Sequence, residues 1–139
     1  MLTMQSEPDS FHQLSEELGG RIDQFNMQVT GVTEWTPVVI ALRDDTGRLR
    51  GGIVGFVWGT WFHLTTLVVD DDFRRQDWGN KLMAAAEDAA RKAGARNAYL
   101  ETYSFQARPF YERHGYAVFA TLEDFPPGHT YFMMRKALV

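Results

Sequence analysis

Phe73-Arg74-Arg75-Gln76-Asp77-Trp78-Gly79-Asn80-Lys81-Leu82-Met83 is a basic turn between two apolar segments. The run Leu64 to Val69 before it reads as a strand, and the alanine-rich stretch Met83 to Ala93 after it reads as a helix. A strand that turns into a helix there aims free backbone N–H groups and the positive end of a helix dipole at one spot. Arg74, Arg75 and Lys81 add positive charge. The guest that suits such a turn is an anion, a phosphate or pyrophosphate.

Outward from this turn, the chain alternates short elements. Upstream, Val38 to Leu42, Ile53 to Trp58 and Phe62 to Val69 read as strands. Asp44-Asp45-Thr46-Gly47 separates the first two, and the two-residue hairpin Trp58-Gly59-Thr60-Trp61 joins the second to the third. Residues 9–29 carry Phe11, Leu14, Leu18, Ile22 and Phe25 at helical spacing, with Asp9 or Ser10 as cap. Gly19-Gly20 predicts a kink or two short helices there. Downstream, the helix from Trp78 ends at Gly94. Ala98 to Thr102 is a strand, Phe110 to His114 a short helix, and Ala117 to Leu122 and Tyr131 to Lys136 are two last strands. The order is α-β-β-β-α-β-α-β-β.

Composition narrows the function classes. The chain has 139 residues, enough for one core, so a single domain over residues 1–139 is expected. Its 45% hydrophobic content opposes disorder, and its net charge of -4 opposes a general nucleic-acid binder. The chain has no cysteine, which excludes thiolate metal sites and a cysteine nucleophile, and no metal site is expected. No apolar run reaches the ~20 residues of a membrane span, and Met1 to Ser10 lacks the pattern of a signal peptide. A soluble cytoplasmic protein is expected. Trp58, Trp61 and Phe132 suit a homodimer interface as well as a core.

Two motifs carry a resemblance. The GNAT superfamily of acyl-CoA N-acyltransferases has Arg/Gln-x-x-Gly-x-Gly/Ala at the turn between a strand and its helix. Arg74 to Gly79 resembles it at two of three fixed positions, with Asp77 in place of the first glycine. A second family pattern, Asn-x-x-Ala-x-x-x-Tyr-x-x-x-Gly-Phe, resembles Ser104-x-x-Ala107-x-x-x-Tyr111-x-x-x-Gly115-Tyr116. The resemblance covers roughly residues 35 to 137. It implies an α+β fold: a central mixed, mostly antiparallel sheet with a splayed strand pair and flanking helices.

It also implies roles. Arg74, Arg75, Gln76, Asp77, Trp78, Gly79, Asn80 and Lys81 would wrap the pyrophosphate of acetyl-CoA (coenzyme A). Backbone groups of Leu67, Val68 and Val69 would bind the pantetheine arm like a missing strand, with Ser104 and Ala107 beside it. Tyr111 would be the general acid that protonates the departing thiolate. His63 occupies a position where members carry a base, Glu101 is the next candidate and His129 the third. Period-two alternation places His63, Thr65, Leu67 and Val69 on one face. Phe25, Asn26, Glu34, Trp35 and His129, with Glu123 and Asp124, would shape the acceptor pocket, and the acids suit a cationic amine. Asp77 adds a negative charge beside the anion, although aspartate tolerates left-handed backbone and caps helices.

The reading that follows is an acetyl-CoA-dependent N-acetyltransferase acting on a primary amine of a small molecule. The amine, or a lysine-like group, would attack directly in a ternary complex. A non-catalytic acyl-CoA-binding sensor is the alternative. A nucleic-acid acceptor would call for a basic face, and a dinucleotide-binding domain would call for a Gly-x-Gly-x-x-Gly motif that is absent.

Overall fold

The computed structural model describes every residue from Met1 to Val139, in two compact units, Met1–Thr33 and Glu34–Val139. In the first unit, a 3-10 turn (Pro8–Ser10) leads into helix α1 (Phe11–Thr30). The helix runs unbroken through Gly19-Gly20. A glycine costs about 1 kcal/mol against alanine within a helix but has no steric bar to helical φ and ψ, and good helix formers flank the pair. Gly31 ends α1 in the left-handed region, φ 72°, with its N–H donating to the Met27 carbonyl. Neither proposed cap acts at the other end, where Ser10 makes no side-chain capping bond. The apolar residues Phe11, Leu18, Ile22, Phe25 and Val29 are exposed.

The second unit is a six-stranded sheet with two helices. In chain order its elements are β1 (Trp35–Arg43), β2 (Leu49–Trp58), β3 (Trp61–Val69), α2 (Trp78–Lys92), β4 (Asn97–Tyr103), α3 (Arg108–Arg113), β5 (Ala117–Glu123) and β6 (Thr130–Ala137). The spatial order is β1-β2-β3-β4-β6-β5. Every neighbouring pair is antiparallel except β3 and β4. Those two run parallel and pair only where Trp61–Leu64 meets Asn97–Leu100. Past this point β4 stays on β6, β3 stays on β2, and the strands part. This is the splayed pair that the family resemblance implied.

A bulge fixes which side chains look into the splay. The β2–β3 register steps between Val54, opposite Thr66, and Gly55, opposite Leu64, so Thr65 is an extra residue. Phe62 and Leu64 are buried in the core, yet beyond Thr65 it is Leu67 and Val69 that pack against it. The inward parity has switched. This overturns the simple alternation: His63 does not share a face with Leu67 and Val69. Gly55 is required at the bulge, because a Cβ there would collide with the His63 carbonyl and, at 2.5 Å, with Cε1 of Phe62.

The core lies between the sheet and α2. Leu82, Met83, Ala86 and Ala90 of α2 are buried over Val38, Ile53, Val57 and Leu64. Of the aromatics that suited either an interface or a core, Phe132 belongs to this core, whereas Trp61 is exposed. One charge is buried with it. Glu87 accepts from the Tyr116 hydroxyl at 2.9 Å and from Lys136 Nζ at 2.7 Å, so both of its oxygens are satisfied. No helix is long and apolar enough to cross a membrane.

Candidate active site

The turn between β3 and α2 is shaped by two left-handed residues, Arg75 (φ 64°) and Asp77 (φ 70°). Asp77 takes the backbone conformation expected of the glycine it replaces. It does not cap α2 through its side chain, contrary to the expectation that aspartate would serve as cap. Its carboxylate instead accepts from Asn80 Nδ2 at 2.5 Å, and Asn80 Oδ1 lies 2.7 Å from His114 Nε2. The first bond of the α2 ladder runs from the Lys81 N–H to the Asp77 carbonyl. The N–H groups of Trp78, Gly79 and Asn80 precede that bond, at the positive end of the helix.

These groups border a recess of about 450 Å³ lined by Arg74, Arg75, Asp77, Trp78, Gly79 and Asn80, with Phe110 and Arg113 from α3. Gly79 is packed under Phe110, whose ring atoms would lie 3.3–3.4 Å from any added Cβ. Upstream, Arg50 pairs with Asp44 at 2.8 Å and lies over the Phe73 ring at 5.2 Å, holding the start of the turn. Arg74 is anchored by its Nε donating to the Val69 carbonyl. Lys81 and Gln76 do not line the recess: Lys81 Nζ sits over the Trp78 indole at 4.6 Å, and Gln76 accepts from the indole N–H at 3.4 Å. Arg113, not named in the sequence reading, lines the recess instead.

The recess shares Val69, Arg74, Gly79 and Phe110 with a cleft of about 710 Å³ that fills the splay between β3 and β4. Leu64 to Val69 form one wall. From Thr65 on, the β3 edge facing the cleft has no strand partner, so its backbone groups are open to an amide-bearing chain. Ala107 and Tyr111 of the second motif line the same cleft, joined by Glu101, Thr102, Phe105 and Gln106. Ser104 does not. Its backbone N–H donates to the Thr130 carbonyl at 2.8 Å and its Oγ accepts the Thr130 N–H at 3.0 Å, so it stitches the end of β4 to β6.

Two proton-handling groups meet here. Tyr111 is buried, and burial pushes its phenol above the ordinary value, which keeps it protonated. At the apex of the splay, His63 Nε2 donates to Glu101 at 2.8 Å and 3.1 Å. His63 is fixed by Tyr99, stacked at 4.2 Å, and by the edge of Phe56 at 5.5 Å. Both side chains are part-buried, and of the two it is Glu101 that lines the cleft.

The proposed acceptor residues fall in different places. Phe25 and Asn26 belong to α1 in the first unit. Trp35 stacks on Phe56 at 5.1 Å, on the ring row that continues to His63. Glu34 is the exposed residue before β1. His129 touches Phe105, which lines the cleft. The sequence reading missed Arg113, Phe110, Gln106 and Phe105. All four lie at variable positions of the second motif, Phe105 beside Ser104, Gln106 beside Ala107 and Phe110 beside Tyr111, and the motif says nothing of which variable positions face a ligand.

The acetyltransferase (GNAT) domain family matches residues 34–118. The chain is 41% identical over 95 residues to a blasticidin-S acetyltransferase of Streptomyces morookaense, covering 68% of this chain and 70% of that protein. It is 30% identical over 112 residues to an acetyltransferase of Agrobacterium fabrum, covering 81% of this chain and 82% of the other. A crystal structure of an acetyltransferase from Bacillus cereus superposes with a TM-score of 0.81 at 26% identity, covering 99% of this chain and 97% of that one. With its splayed strands, its recess at the α2 N-terminus and these relatives, the chain belongs to the GNAT family of acetyltransferases, enzymes that draw the acetyl group from acetyl-CoA.

Proposed function

We propose that this acetyltransferase moves an acetyl group to the primary amine of a small molecule, by direct attack in a ternary complex. The observation that carries the reading is that Tyr111 and Glu101 line one cleft, which adjoins an arginine-bordered recess. The chain's groups fit acetyl-CoA. Arg74, Arg75, Arg113 and the first N–H groups of α2 would hold its pyrophosphate, and the open β3 edge at Leu67, Val68 and Val69 would hold its pantetheine amides. When bound, acetyl-CoA supplies the acetyl thioester, whose carbonyl carbon accepts the amine nitrogen as the thiolate leaves.

Glu101 takes the proton released by the acceptor nitrogen, at Oε1, the oxygen held less closely by His63. His63 orients the carboxylate and acts as its partner. Tyr111 gives the proton on its phenol oxygen to the departing sulfur, a transfer between groups of similar basicity. No side chain forms a covalent intermediate. Small-molecule acetylation is also the activity that the name of the Streptomyces relative states for that protein.

The test is a panel of small primary amines incubated with acetyl-CoA, with thiol release and the acetylated product both followed. Amine-dependent thiol release with a matching mass increase is expected. Binding of acetyl-CoA without transfer to any amine would instead favour a sensor.

A further inference from the structure

Five rings gather where β4 ends and β6 begins, beyond anything the proton chemistry needs. Tyr103 closes β4, Phe105 lies just beyond it, Phe125 and His129 lie in the loop between β5 and β6, and Tyr131 is the second residue of β6. Tyr103 and Phe105 are stacked, 5.2 Å apart and 14° from parallel. Phe125 and Tyr131 are stacked at 5.2 Å, and Tyr103 bridges to both, at 5.7 Å and 5.1 Å. His129 meets Phe105 edge-on at 4.8 Å. This group is not core: Phe105 is 55% exposed and Phe125 45%.

The rings are held stiffly. The Ser104–Thr130 pair of bonds ties their two loops together. Gln106 Oε1 accepts both the Thr102 hydroxyl and the Tyr103 N–H at 3.1 Å, fixing the end of β4. Asp124 Oδ1 accepts the Gly128 N–H at 3.0 Å and braces the other loop. Exposed aromatics clustered on a rigid frame mark a binding surface more than a packing accident.

Their placement says what binds. Glu101 and Tyr103 are two residues apart on β4, on the face opposite buried Thr102, about 7 Å along the strand. Phe105 lines the same cleft as Glu101. A carboxylate attracts an ammonium group, and aromatic faces attract both flat rings and delocalised cations.

We propose that the acceptor is an amine on a short arm from a planar ring, its nitrogen delivered to Glu101 while its ring rests against Tyr103, Phe105 and Phe125. This inference rests on the small-amine reading above and narrows it. Tyr131 and His129 back the inner rings, and Ser104, through Thr130, is a positioning residue for the platform. Aliphatic amines of the same charge gain the carboxylate but not the ring contacts.

The test compares 2-phenylethylamine with 2-cyclohexylethylamine, which match in charge, arm and bulk but differ in flatness. The expected result is a kcat/KM at least about tenfold higher for the phenyl compound. Phe125→Leu and, separately, Phe105→Leu should each cut that ratio by about tenfold, mainly through KM. The melting temperature of each variant confirms folding. Equal kcat/KM for the two amines, or a ratio that neither substitution moves, overturns the inference and leaves the small-amine reading standing. So does turnover confined to open-chain amines. If no amine of any kind is acetylated, the small-amine reading fails and this inference fails with it.

Discussion

Asp77 shows how one residue can break a motif and keep its geometry. Glycine would be favoured at φ 70°, and aspartate is among the few side chains that accept this region at modest cost. The carboxylate stays beside Asn80, in the lining of the recess proposed to hold the pyrophosphate. Asp77→Gly is expected to tighten acetyl-CoA binding by removing the charge and relaxing the backbone. Because no capping bond is lost, stability should change by only a few tenths of a kcal/mol. Asp77→Asn should tighten binding too, most at low salt, where repulsion is least screened. Calorimetric titration of the three proteins checks this, and tightening in glycine alone would assign the effect to backbone freedom. Tyr111→Phe removes one hydroxyl and should lower kcat about 100-fold with little change in acetyl-CoA affinity. Because burial raises the phenol above its usual 10.0, the alkaline fall in kcat due to Tyr111 should lie above that pH. Steady-state kinetics with an active amine, measured against pH, reads both, and unchanged turnover would make Tyr111 a packing residue. The turn and the tyrosine were legible in the sequence because each lies within a local motif. The His63–Glu101 contact was not, since 38 residues separate the partners and only the parallel β3–β4 pairing joins them.

Among the elements, β3 carries the most consequence. Its bulge at Thr65 separates the face that holds His63 from the wall that meets the cleft, and it lies where β3 leaves β4. Gly55 makes room for it under Phe62. Gly55→Ala should therefore cost roughly 1–3 kcal/mol, as overpacking of a filled core does, and should also lower acetyl-transfer rates by moving His63. Chemical denaturation and turnover of the same variant test the two effects, and a stable, fully active alanine variant would contradict this account of the bulge. Period-two reasoning cannot see such a bulge, because an inserted residue leaves composition and hydrophobicity unaltered. The strands themselves were legible, though the structure lengthens β1 to begin at Trp35 and β2 to begin at Leu49. The β2 ladder with β1 and β3 runs through Gly51 and Gly52, residues of low strand propensity that lie before the stretch read as a strand. The unbroken α1 teaches the same lesson about Gly19-Gly20: a propensity penalty is not a break unless something else ends the hydrogen-bond ladder.

At the scale of the molecule, residues 34–139 hold the buried core, the recess and the cleft. The buried Glu87, shared by Tyr116 and Lys136, links α2 to the last two strands' end of the sheet. Glu87→Ala would strand the Lys136 ammonium and should cost about 3–5 kcal/mol, seen as a lower melting temperature; an unshifted melt would mean that water replaces the carboxylate freely. The fold was legible at this scale because two motifs fell in order within the right succession of elements. The aromatic cluster proposed to hold the acceptor was not, because its rings come from β4, β6 and two loops that only the finished sheet brings together. The central claim is that the recess and the splay form one acetyl-CoA site, and the melting temperature with and without acetyl-CoA tests it most directly. At ~100 times its dissociation constant, ligand should add about 2.7 kcal/mol and raise the midpoint by several degrees. A midpoint unmoved at saturating acetyl-CoA would contradict it.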